Sequence, residues 1–227
     1  MTRTAVVTGA SSGIGAATRA VMTETGWTVV GLDLTPSDDG SVLQCDVANP
    51  QSVADAIERV RTQFGPIEAV VSAAGHYEIV RLEDITPESW SRMLRVHLGG
   101  LANVSRAVLP DMIERRSGTI VAVSSELGIT GGDSEAHYAA AKGAMIGFVR
   151  SLAAEVATHG IRVNAVAPGP TDTPLLPAAQ RTPEYVAALP AGALATTDEI
   201  AQVIQFLVDE GGFCVGEVIS PNMGAVI

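Results

Sequence analysis

The sequence predicts an α/β fold in which one doubly wound parallel sheet of about seven strands is covered by helices on both faces. Short apolar runs alternate along the chain with longer segments of helical periodicity. The apolar runs are continuous, which is typical of parallel strands that are buried on both faces. Of the 227 residues, 47% are hydrophobic and 17% are charged, so the chain can bury a substantial core.

Seven of the apolar runs have the length of strands, and helical patterns fill most of the connections between them. The predicted strands cover residues 4–9, 27–33, 41–46, 67–75, 118–125, 161–169 and 214–220. The predicted helices cover residues 14–25, 50–64, 87–116, 137–158 and 198–209. Asn49 and Pro50 suit the start of the second helix, and Pro110 indicates an interruption of the third.

The connection between the second and third strands differs from the others. Its sequence, LTPSDDG (34–40), is short and rich in Pro, Gly and Asp, which disfavours a crossover helix. Either that helix is reduced to a turn, or the strand assignment there is wrong. No change in composition marks a second domain, so we expect residues 1–227 to form a single domain.

Charge and cysteine content argue against several classes of protein. The net charge of -11 opposes binding to polyphosphate and therefore to nucleic acid. Cys45 and Cys214 have neither disulfide nor metal-ligand spacing, which suits the cytoplasm, and no His/Cys/Asp cluster predicts a metal site. The N-terminal apolar run is too short for a signal peptide, and no run of about 18 apolar residues predicts a membrane span.

A glycine-rich turn follows the first strand and begins the first helix. In VVTGASSGIGAA, Gly9, Gly13 and Gly15 stand where the backbone takes positive φ or approaches another group closely. A helix N-terminus offers free N–H groups and a partial positive charge, which suit a pyrophosphate. No lysine follows, so a nucleoside-triphosphate P-loop is disfavoured. The alternative is a turn that only lets the helix pack tightly.

Asp33, at the end of the second strand, favours a dinucleotide. It lies eighteen positions after Gly15, where dinucleotide-binding units place a carboxylate that accepts hydrogen bonds from the adenosine ribose. The same charge would repel a 2′-phosphate, and the neighbouring Ser12 and Leu34 are neutral. We therefore predict NAD in preference to NADP. The alternative is that Asp33 only caps a loop.

Tyr138 and Lys142 lie four residues apart on the Ala-rich helix, with three alanines between them. Positions i and i+4 share a helix face, so the phenol and the ammonium lie side by side. Tyrosine has a pKa of about 10, and lowering it by about three units takes roughly 4 kcal/mol. A cation about 4 Å away supplies about that much at an effective dielectric near 20. The alternative is an ordinary solvated face.

Three motifs in this order resemble the classical short-chain dehydrogenase/reductase family. They are TGASSGIG (8–15), YAAAK (138–142) and NAVAPGPTDT (164–173), and their spacing matches over essentially the whole chain. The resemblance implies a Rossmann-like fold and an NAD(H)-dependent oxidoreductase that interconverts a secondary alcohol and its ketone by hydride transfer. A 3-oxoacyl-type ketone reductase and a non-catalytic NAD(H)-binding regulatory protein are the alternatives.

The resemblance implies a catalytic set of Ser125, Tyr138 and Lys142. Ser125 precedes Tyr138 by thirteen residues, which is the family distance, whereas strand alternation alone does not distinguish Ser125 from Ser124. Tyr138 would be the general acid/base, Ser125 would donate to the substrate oxygen, and Lys142 would also hold the ribose. A seryl nucleophile is disfavoured, since its G-x-S-x-G elbow is missing.

The implied cofactor contacts follow the same motifs and the ends of the intervening strands. They are Gly9, Ser11, Ser12, Gly13, Ile14, Gly15, Asp33, Leu34, Asp46, Val47, Ala73, Ala74, Gly75, Tyr138, Lys142, Pro168, Gly169, Thr171 and Thr173. SAAG (72–75) differs from the family's usual Asn-Asn-Ala-Gly, so side-chain support for the cofactor is thinner there.

His97 stands where the family often has an asparagine. That residue helps to hold a water in a proton relay to the lysine, largely through its backbone carbonyl. A histidine backbone can do the same, and its ring would join the relay as a further member of the catalytic set. The alternative is a partly buried histidine that is bonded to neighbouring backbone.

Residues 174–192, PLLPAAQRTPEYVAALPAG, are predicted to form a short lid over the substrate. Met145, Leu175, Leu176 and Tyr185 are candidate lining residues, with core packing as the alternative for some of them. The segment carries a single cation, Arg181, which favours a small, fairly apolar secondary alcohol or a cyclic diol over a large anionic substrate. The short loop 34–40 and GPTDTP (169–174) also resemble the family's dihydrodiol-type dehydrogenases, which implies a cyclic dihydrodiol.

Two predicted helices, 87–116 and 137–158, have more apolar positions than one sheet face can bury. In the family these helices pair across a two-fold axis, so the resemblance implies a homotetramer or a homodimer. The tail carries Met223, Gly224 and Ala225 in place of the family's more usual glycine pair, close to where subunits commonly meet.

Overall fold

Seven parallel strands form one sheet in the computed structural model, which describes residues 3–226. The strands are β1 (Arg3–Thr8), β2 (Trp27–Asp33), β3 (Val42–Gln44), β4 (Ile67–Ser72), β5 (Gly118–Val123), β6 (Ile161–Val166) and β7 (Val218–Ile219). Their order is β3-β2-β1-β4-β5-β6-β7, which confirms the predicted doubly wound sheet. The order reverses between β1 and β4, and ligands of such sheets bind beyond the carboxyl ends of the strands at that point.

Helices cover both faces of this sheet. They are α1 (Gly13–Glu24), α2 (Pro50–Phe64), α3 (Pro87–Leu94), α4 (Gly100–Arg115), α5 (Leu127–Thr130), α6 (Ala136–Val156), α7 (Pro183–Ala188) and α8 (Thr197–Asp209). One buried cluster joins the sheet to α2, α4 and α6, and a second joins it to α1 and α8. Successive strand residues serve opposite clusters, as Val6 and Val7 do, which explains the continuous apolar runs.

The connection 34–40 is a turn, and β2 and β3 still pair in parallel. Asp39 organises the turn, because its Oδ1 accepts hydrogen bonds from the Ser37 hydroxyl and from the N–H and hydroxyl of Ser41. These bonds lower the pKa of Asp39 to about 2. The predicted alternative of a crossover helix reduced to a turn is therefore the one observed.

The long helical stretch changes geometry at a different place from the one predicted. α4 continues through Pro110, which is exposed. Pro110 has no N–H to donate to the carbonyl of Arg106, which is also exposed. The missing bond therefore lies on the solvent side and does not break the helix. The irregularity is instead a π turn at Arg95–Gly99, which joins α3 to α4 and contains the buried His97.

Several strands are shorter than predicted at their carboxyl ends. β4, β5 and β6 end at Ser72, Val123 and Val166, and the residues that follow them turn into a cleft. The last strand pairs with β6 only at Val218–Ile219, because Gly216, with φ of +76°, interrupts the extended backbone before it.

Candidate active site

The glycine-rich turn between β1 and α1 has a backbone that side chains would obstruct. Gly9 and Gly13 have φ of +66° and +51°, in the left-handed region that favours glycine. A Cβ on Gly9 would lie 2.7 Å from the Cα of Ala74, and one on Gly15 would lie 2.1 Å from the carbonyl oxygen of Gly9. The turn can therefore pass close to the end of β4 only without side chains.

The N-terminus of α1 opens into the cleft. Its N-cap is Ser12, whose side chain forms no capping hydrogen bond within residues 3–226. Gly13, Ile14 and Gly15 line the cleft, so the N–H groups of this first turn face a space that can hold an anion. The arrangement fits the pyrophosphate of a dinucleotide.

Asp33 lies at the end of β2 and lines the same cleft. Its Oδ2 accepts a hydrogen bond from the N–H of Ser11 at 3.0 Å, and its Oδ1 accepts one from the N–H of Thr35 at 3.1 Å. The carboxylate is therefore held at the cleft wall while it also caps the turn. Arg19, nearby, donates to the Ala10 carbonyl and the Ser41 hydroxyl and is not part of the lining.

Most of the predicted cofactor contacts line the cleft. They are Gly9, Ser12, Gly13, Ile14, Gly15, Asp33, Ala73, Gly75, Tyr138, Lys142, Pro168, Gly169, Thr171 and Thr173. The structure places Ser11, Leu34, Asp46, Val47 and Ala74 outside the lining. Leu34 is 66% exposed, Ala74 packs under Gly9, and the carbonyl of Val47 accepts a hydrogen bond from Asn103.

The cleft has a volume of about 470 Å³, within the range of about 300–1,000 Å³ that small-molecule sites have. It lies beyond the carboxyl ends of the central strands, at the reversal of strand order. The glycine-rich turn and Asp33 form one end. Residues after β4 and β5, the start of α6 and the segment 174–192 form the other end.

The two serines after β5 are distinguished by their hydrogen bonds. The hydroxyl of Ser124 donates to the carbonyl of Lys142 at 2.8 Å and is buried, so it ties β5 to α6. The hydroxyl of Ser125 accepts from the N–H of Leu127 at 3.2 Å, which leaves its proton available. Both residues line the cleft, but Ser125 is the one whose hydroxyl can still donate to a ligand.

Lys142 is buried between α6 and the end of β5. Its Nζ donates to the carbonyl of Val123 at 2.8 Å and lies 5.6 Å from the centre of the Tyr138 ring. Burial lowers the pKa of Lys142 to about 7, because desolvation disfavours the charged form. The predicted proximity of the two side chains is therefore present, although the ammonium points to a backbone carbonyl.

The expected lowering of the Tyr138 pKa is not observed in this arrangement. Burial raises that pKa to about 12, the negative charges of Glu135 and Glu126 add to the rise, and the Ser125 hydroxyl partly offsets it. The physical reason is that the phenol is desolvated and lies near two carboxylates, while the desolvated Lys142 directs its Nζ to a backbone carbonyl. The phenol in this structure is set up as a proton donor.

His97 is buried, as the alternative interpretation of a histidine bonded to backbone requires. Its Nε2 lies 2.9 Å from the carbonyl oxygen of His76. The ring fills the space beside Gly75, where a Cβ would lie 2.3 Å from the His97 Cε1. It also meets the Tyr138 ring edge-on, with 5.6 Å between ring centres. Burial and the Lys142 charge hold the His97 pKa well below its usual value.

Several polar residues of the cleft were not expected from the sequence, among them Tyr77, Glu126 and Glu135. The Tyr77 hydroxyl donates to Glu135, and its ring meets the Tyr138 ring with 4.8 Å between centres. Glu126 follows Ser125 directly and Glu135 lies three residues before Tyr138, so proximity to the motif was a signal that could have identified both. Tyr77 carries no comparable signal.

The segment 174–192 contributes Leu175, Leu176 and Tyr185 to the cleft, as predicted. Met145 does not reach the cleft, because it packs in the core with 1% of its surface exposed. Arg181 donates to the carboxylate of Asp172 and to the carbonyls of Thr173 and Leu176, so it fastens the segment to the chain that precedes it.

No group of three or more His, Cys, Asp or Glu side chains among residues 3–226 has an arrangement that could hold a metal ion. None of the helices in this range has the length and apolar character needed to cross a membrane.

The chain is similar to known proteins both in sequence and in structure. The family model for short chain dehydrogenase matches residues 3–184. A 3-oxoacyl-[acyl-carrier-protein] reductase of Thermotoga maritima is 35% identical over 98% of this chain and 97% of its own. A cis-4-hydroxycyclohexanecarboxylate dehydrogenase of Sinomonas cyclohexanicum is 38% identical over 98% of this chain and 96% of its own.

The fold is also found among solved structures. The aldohexose dehydrogenase of Thermoplasma acidophilum in ligand-free form superposes with a TM-score of 0.92, at 28% identity, over 99% of this chain and 94% of that chain. The family model covers far more than half of the chain, and the relatives align over almost all of it. The chain therefore belongs to the short-chain dehydrogenase family, whose members are oxidoreductases that bind a nicotinamide cofactor and act on secondary alcohols and ketones.

Proposed function

We propose that this protein is an NAD-dependent dehydrogenase that interconverts a small secondary alcohol, or a cyclic dihydrodiol, and its ketone. The observation that carries the proposal is that Ser125, Tyr138 and Lys142 meet in the cleft that the glycine-rich turn and Asp33 also line. Relatives named for a hydroxycyclohexanecarboxylate and for an aldohexose support a ring alcohol as the substrate.

The residues of the cleft fit a dinucleotide. The N-terminus of α1 would bind the pyrophosphate, Asp33 would accept from the adenosine ribose, and Lys142 would bind the nicotinamide ribose. A bound nicotinamide would supply the hydride acceptor or donor and, when oxidised, a positive charge near the phenol. The proton would be transferred by side chains of the protein.

Asp33 supports NAD in preference to NADP. Both of its carboxylate oxygens are held by backbone N–H groups, so the negative charge cannot swing away from the cleft wall. A 2′-phosphate placed there would be repelled. Arg19 is engaged with Ala10 and Ser41 and does not line the cleft, so it offers that phosphate no compensating contact.

Tyr138 is proposed as the general acid/base. With a pKa of about 12 the phenol is protonated at neutral pH and can donate to a ketone oxygen, while Ser125 donates a second hydrogen bond to the same atom. Alcohol oxidation needs the phenolate. A charged Lys142 at 5.6 Å from the ring centre would favour the phenolate by about 3 kcal/mol at an effective dielectric of 20, or about two pKa units.

That attraction alone does not lower the pKa of the Tyr138 phenol to near 7, so oxidation requires a further positive charge at the site. Lys142 has a pKa of about 7, and its protonation and the ionisation of Tyr138 favour each other. His97, which packs on the Tyr138 ring, is proposed as a positioning residue that also continues the relay. The two directions of the reaction would therefore start differently: ketone reduction would start from the protonated phenol, and alcohol oxidation would first have to ionise it.

A spectrophotometric assay tests the proposal. The purified protein is mixed with NAD or NADP and a panel of secondary alcohols, and with NADH or NADPH and the matching ketones, and reduced cofactor is followed. We expect turnover, with kcat/KM at least about tenfold higher for NAD than for NADP. NADH binding without turnover of any substrate would instead support the regulatory alternative.

A second candidate is reduction of a 3-oxoacyl thioester. It is favoured by the sequence relatives that are named as 3-oxoacyl-[acyl-carrier-protein] reductases, at 34–36% identity. The same assay run with acetoacetyl-CoA in place of the ketones distinguishes the two candidates, because only the thioester reductase should prefer it.

We also propose a homotetramer or homodimer in the cytoplasm. α4 and α6 carry partly buried apolar residues, such as Ala107, Leu109 and Phe148, at the border of the core, and such faces are suited to pairing across a two-fold axis. Cys45 and Cys214 are both free and buried, which suits a reducing compartment. Analytical ultracentrifugation tests the assembly.

A further inference from the structure

Two buried carboxylates lie in the substrate end of the cleft. Glu126 is 8% exposed and Glu135 is 6% exposed, and both line the cleft with Ser125 and Tyr138. They arrive from the two segments that carry the proposed catalytic side chains, one from the end of β5 and the other from the start of α6. Carboxylates are almost never buried to this extent without a partner.

Glu126 has no such partner among residues 3–226. Its Oε2 is buried without a hydrogen bond in this part of the chain. The cation of the cleft, Lys142, directs its Nζ to the Val123 carbonyl instead. Because an unpaired buried carboxylate is costly, an oxygen in this position is suited to a donor that comes from outside the chain.

The groups around Glu126 do not supply a positive charge. Glu135 accepts from the Tyr77 hydroxyl, and the burial of His97 keeps its ring neutral. Tyr185, from the segment 174–192, lines the same part of the cleft, and its pKa is raised by burial and by both carboxylates. Desolvation and the charge of Glu135 raise the pKa of Glu126 to about 7. The surroundings therefore favour a ligand that donates a hydrogen bond and oppose an anionic ligand.

We propose that Glu126 is a specificity-determining residue that accepts a hydrogen bond from a second hydroxyl of the substrate. The substrate is then a vicinal diol or polyol of a small ring. This inference rests on the proposed function and narrows it, since a simple secondary alcohol leaves Glu126 unpaired. A ring carboxylate would place an anion next to Glu126 and Glu135, which would repel it. A thioester would offer these two side chains mainly hydrogen-bond acceptors.

The test compares matched ring compounds: cyclohexanol, its vicinal cis-diol, its vicinal cis-amino alcohol and cis-4-hydroxycyclohexanecarboxylate. Their kcat/KM values are measured for the wild type, Glu126→Gln, Glu126→Leu and Asp133→Asn. Asp133 lies between the two carboxylates in sequence, is exposed and does not line the cleft, so it is the control for loss of a charge in this loop. NADH binding shows that each variant is folded.

We expect the wild type to prefer the diol over cyclohexanol by about tenfold or more, as a hydrogen bond to a charged group allows. Glu126→Leu should bring that ratio close to one, because the diol loses its hydrogen-bond partner and cyclohexanol has none to lose. Glu126→Gln, whose amide oxygen still accepts, should retain part of the preference. Asp133→Asn should retain all of it.

Other outcomes would overturn the inference. They are a wild type that shows no preference for the diol, one that prefers the amino alcohol or the ring carboxylate, and a Glu126→Leu variant that loses cyclohexanol and diol turnover in equal measure. A variant that changes only the KM for NAD would assign Glu126 to the cofactor instead. If no alcohol or ketone is turned over, the proposed function itself is overturned. If alcohols are turned over without a preference for the diol, only the inference about Glu126 is overturned.

Discussion

The Nζ of Lys142 lies 5.6 Å from the centre of the Tyr138 ring and donates its hydrogen bond to the Val123 carbonyl. Both side chains lie on the same face of α6, Lys142 buried and Tyr138 partly exposed. Desolvation favours the neutral form of each, with a pKa of about 7 for the lysine and about 12 for the tyrosine. A charged pair is thus not the resting condition of these two groups. It has to be created when ligands replace the solvent and add charge.

Replacement of Tyr138 with Phe tests the proton transfer. The ring still packs against Tyr77 and His97, so the fold and the binding of NADH should be preserved. Without the hydroxyl no group is left to move the proton, and we expect kcat to fall by at least about a hundredfold. Steady-state kinetics and NADH titration measure the two quantities. A variant that keeps most of its activity would refute the role of Tyr138.

The buried lysine should make stability depend on pH. The pKa of Lys142 is about 7 in the folded protein and about 10.5 as its ordinary value, so between these values the unfolded chain binds more protons. Stability must then rise with pH through this window. In Lys142→Met this contribution is lost. We expect the free energy of unfolding of the wild type to rise by about 2 kcal/mol relative to the variant between pH 7 and pH 9.

Urea unfolding of both proteins across that range measures the difference. Every other titratable group is shared, so a difference that stays constant with pH would show that the lysine is not desolvated.

Glu126 should make the stability of the protein depend on pH in the opposite direction from Lys142. Its pKa is about 7 in the folded protein against an ordinary 4.5, so the folded protein binds the additional proton and loses stability as pH rises through this window. Glu126→Gln removes that loss. We expect the variant to gain about 2 kcal/mol relative to the wild type between pH 5 and pH 8. Urea unfolding with Asp133→Asn as the control checks this, and a gain that is equal at both pH values contradicts it.

Cofactor choice should follow Asp33. Asp33→Asn keeps a side chain that can cap the turn but removes the charge that faces the cleft. We expect the ratio of kcat/KM for NAD to that for NADP to fall by about tenfold or more. Asp38→Asn, an exposed change in the adjoining turn, is the control. An unchanged ratio in Asp33→Asn would mean that another group selects the cofactor.

Gly9 should not tolerate alanine. A Cβ there meets backbone atoms of Ala73 and Ala74 within 3 Å, in addition to the strain of positive φ. Gly65, with φ of +83° and nothing within 4 Å of a Cβ, is the control for the strain of positive φ without a steric clash. We expect Gly65→Ala to cost about 1 kcal/mol of stability with normal NADH affinity. Gly9→Ala should cost more and weaken NADH binding at least about tenfold, which calorimetry and chemical unfolding measure.

Much of the fold could be predicted because its signals are local and repeated. Continuous apolar strands, Asn49 before Pro50, and the turn-forming residues at 34–40 each act within a few residues, and the structure has the elements they indicate. The π turn could not be predicted, since His97 takes its place through contacts with Gly75 and His76, which are distant in sequence. Pro110 was misleading because its exposure decides its effect, and exposure depends on the whole fold.

The site was predictable where it follows a motif and not where it depends on burial. Ser125, Tyr138 and Lys142 meet as their spacing indicates. The direction of the Tyr138 pKa was wrong, because it depends on desolvation and on Glu126 and Glu135, whose position the spacing does not give. Met145 was assigned to the cleft from its place near the motif, whereas its face of α6 turns to the core.

The π turn at Arg95–Gly99 also marks a place where the chain can be shortened. A π turn holds about one residue more than an α-helical turn within the same full rotation of the backbone. Deleting one residue here would therefore restore a regular helix while α3 keeps its orientation relative to α4. Trp90, whose ring stacks 6.5 Å from that of His137, would then keep its partner. A one-residue gap at this place in a relative would therefore mark a regular helix in place of the π turn.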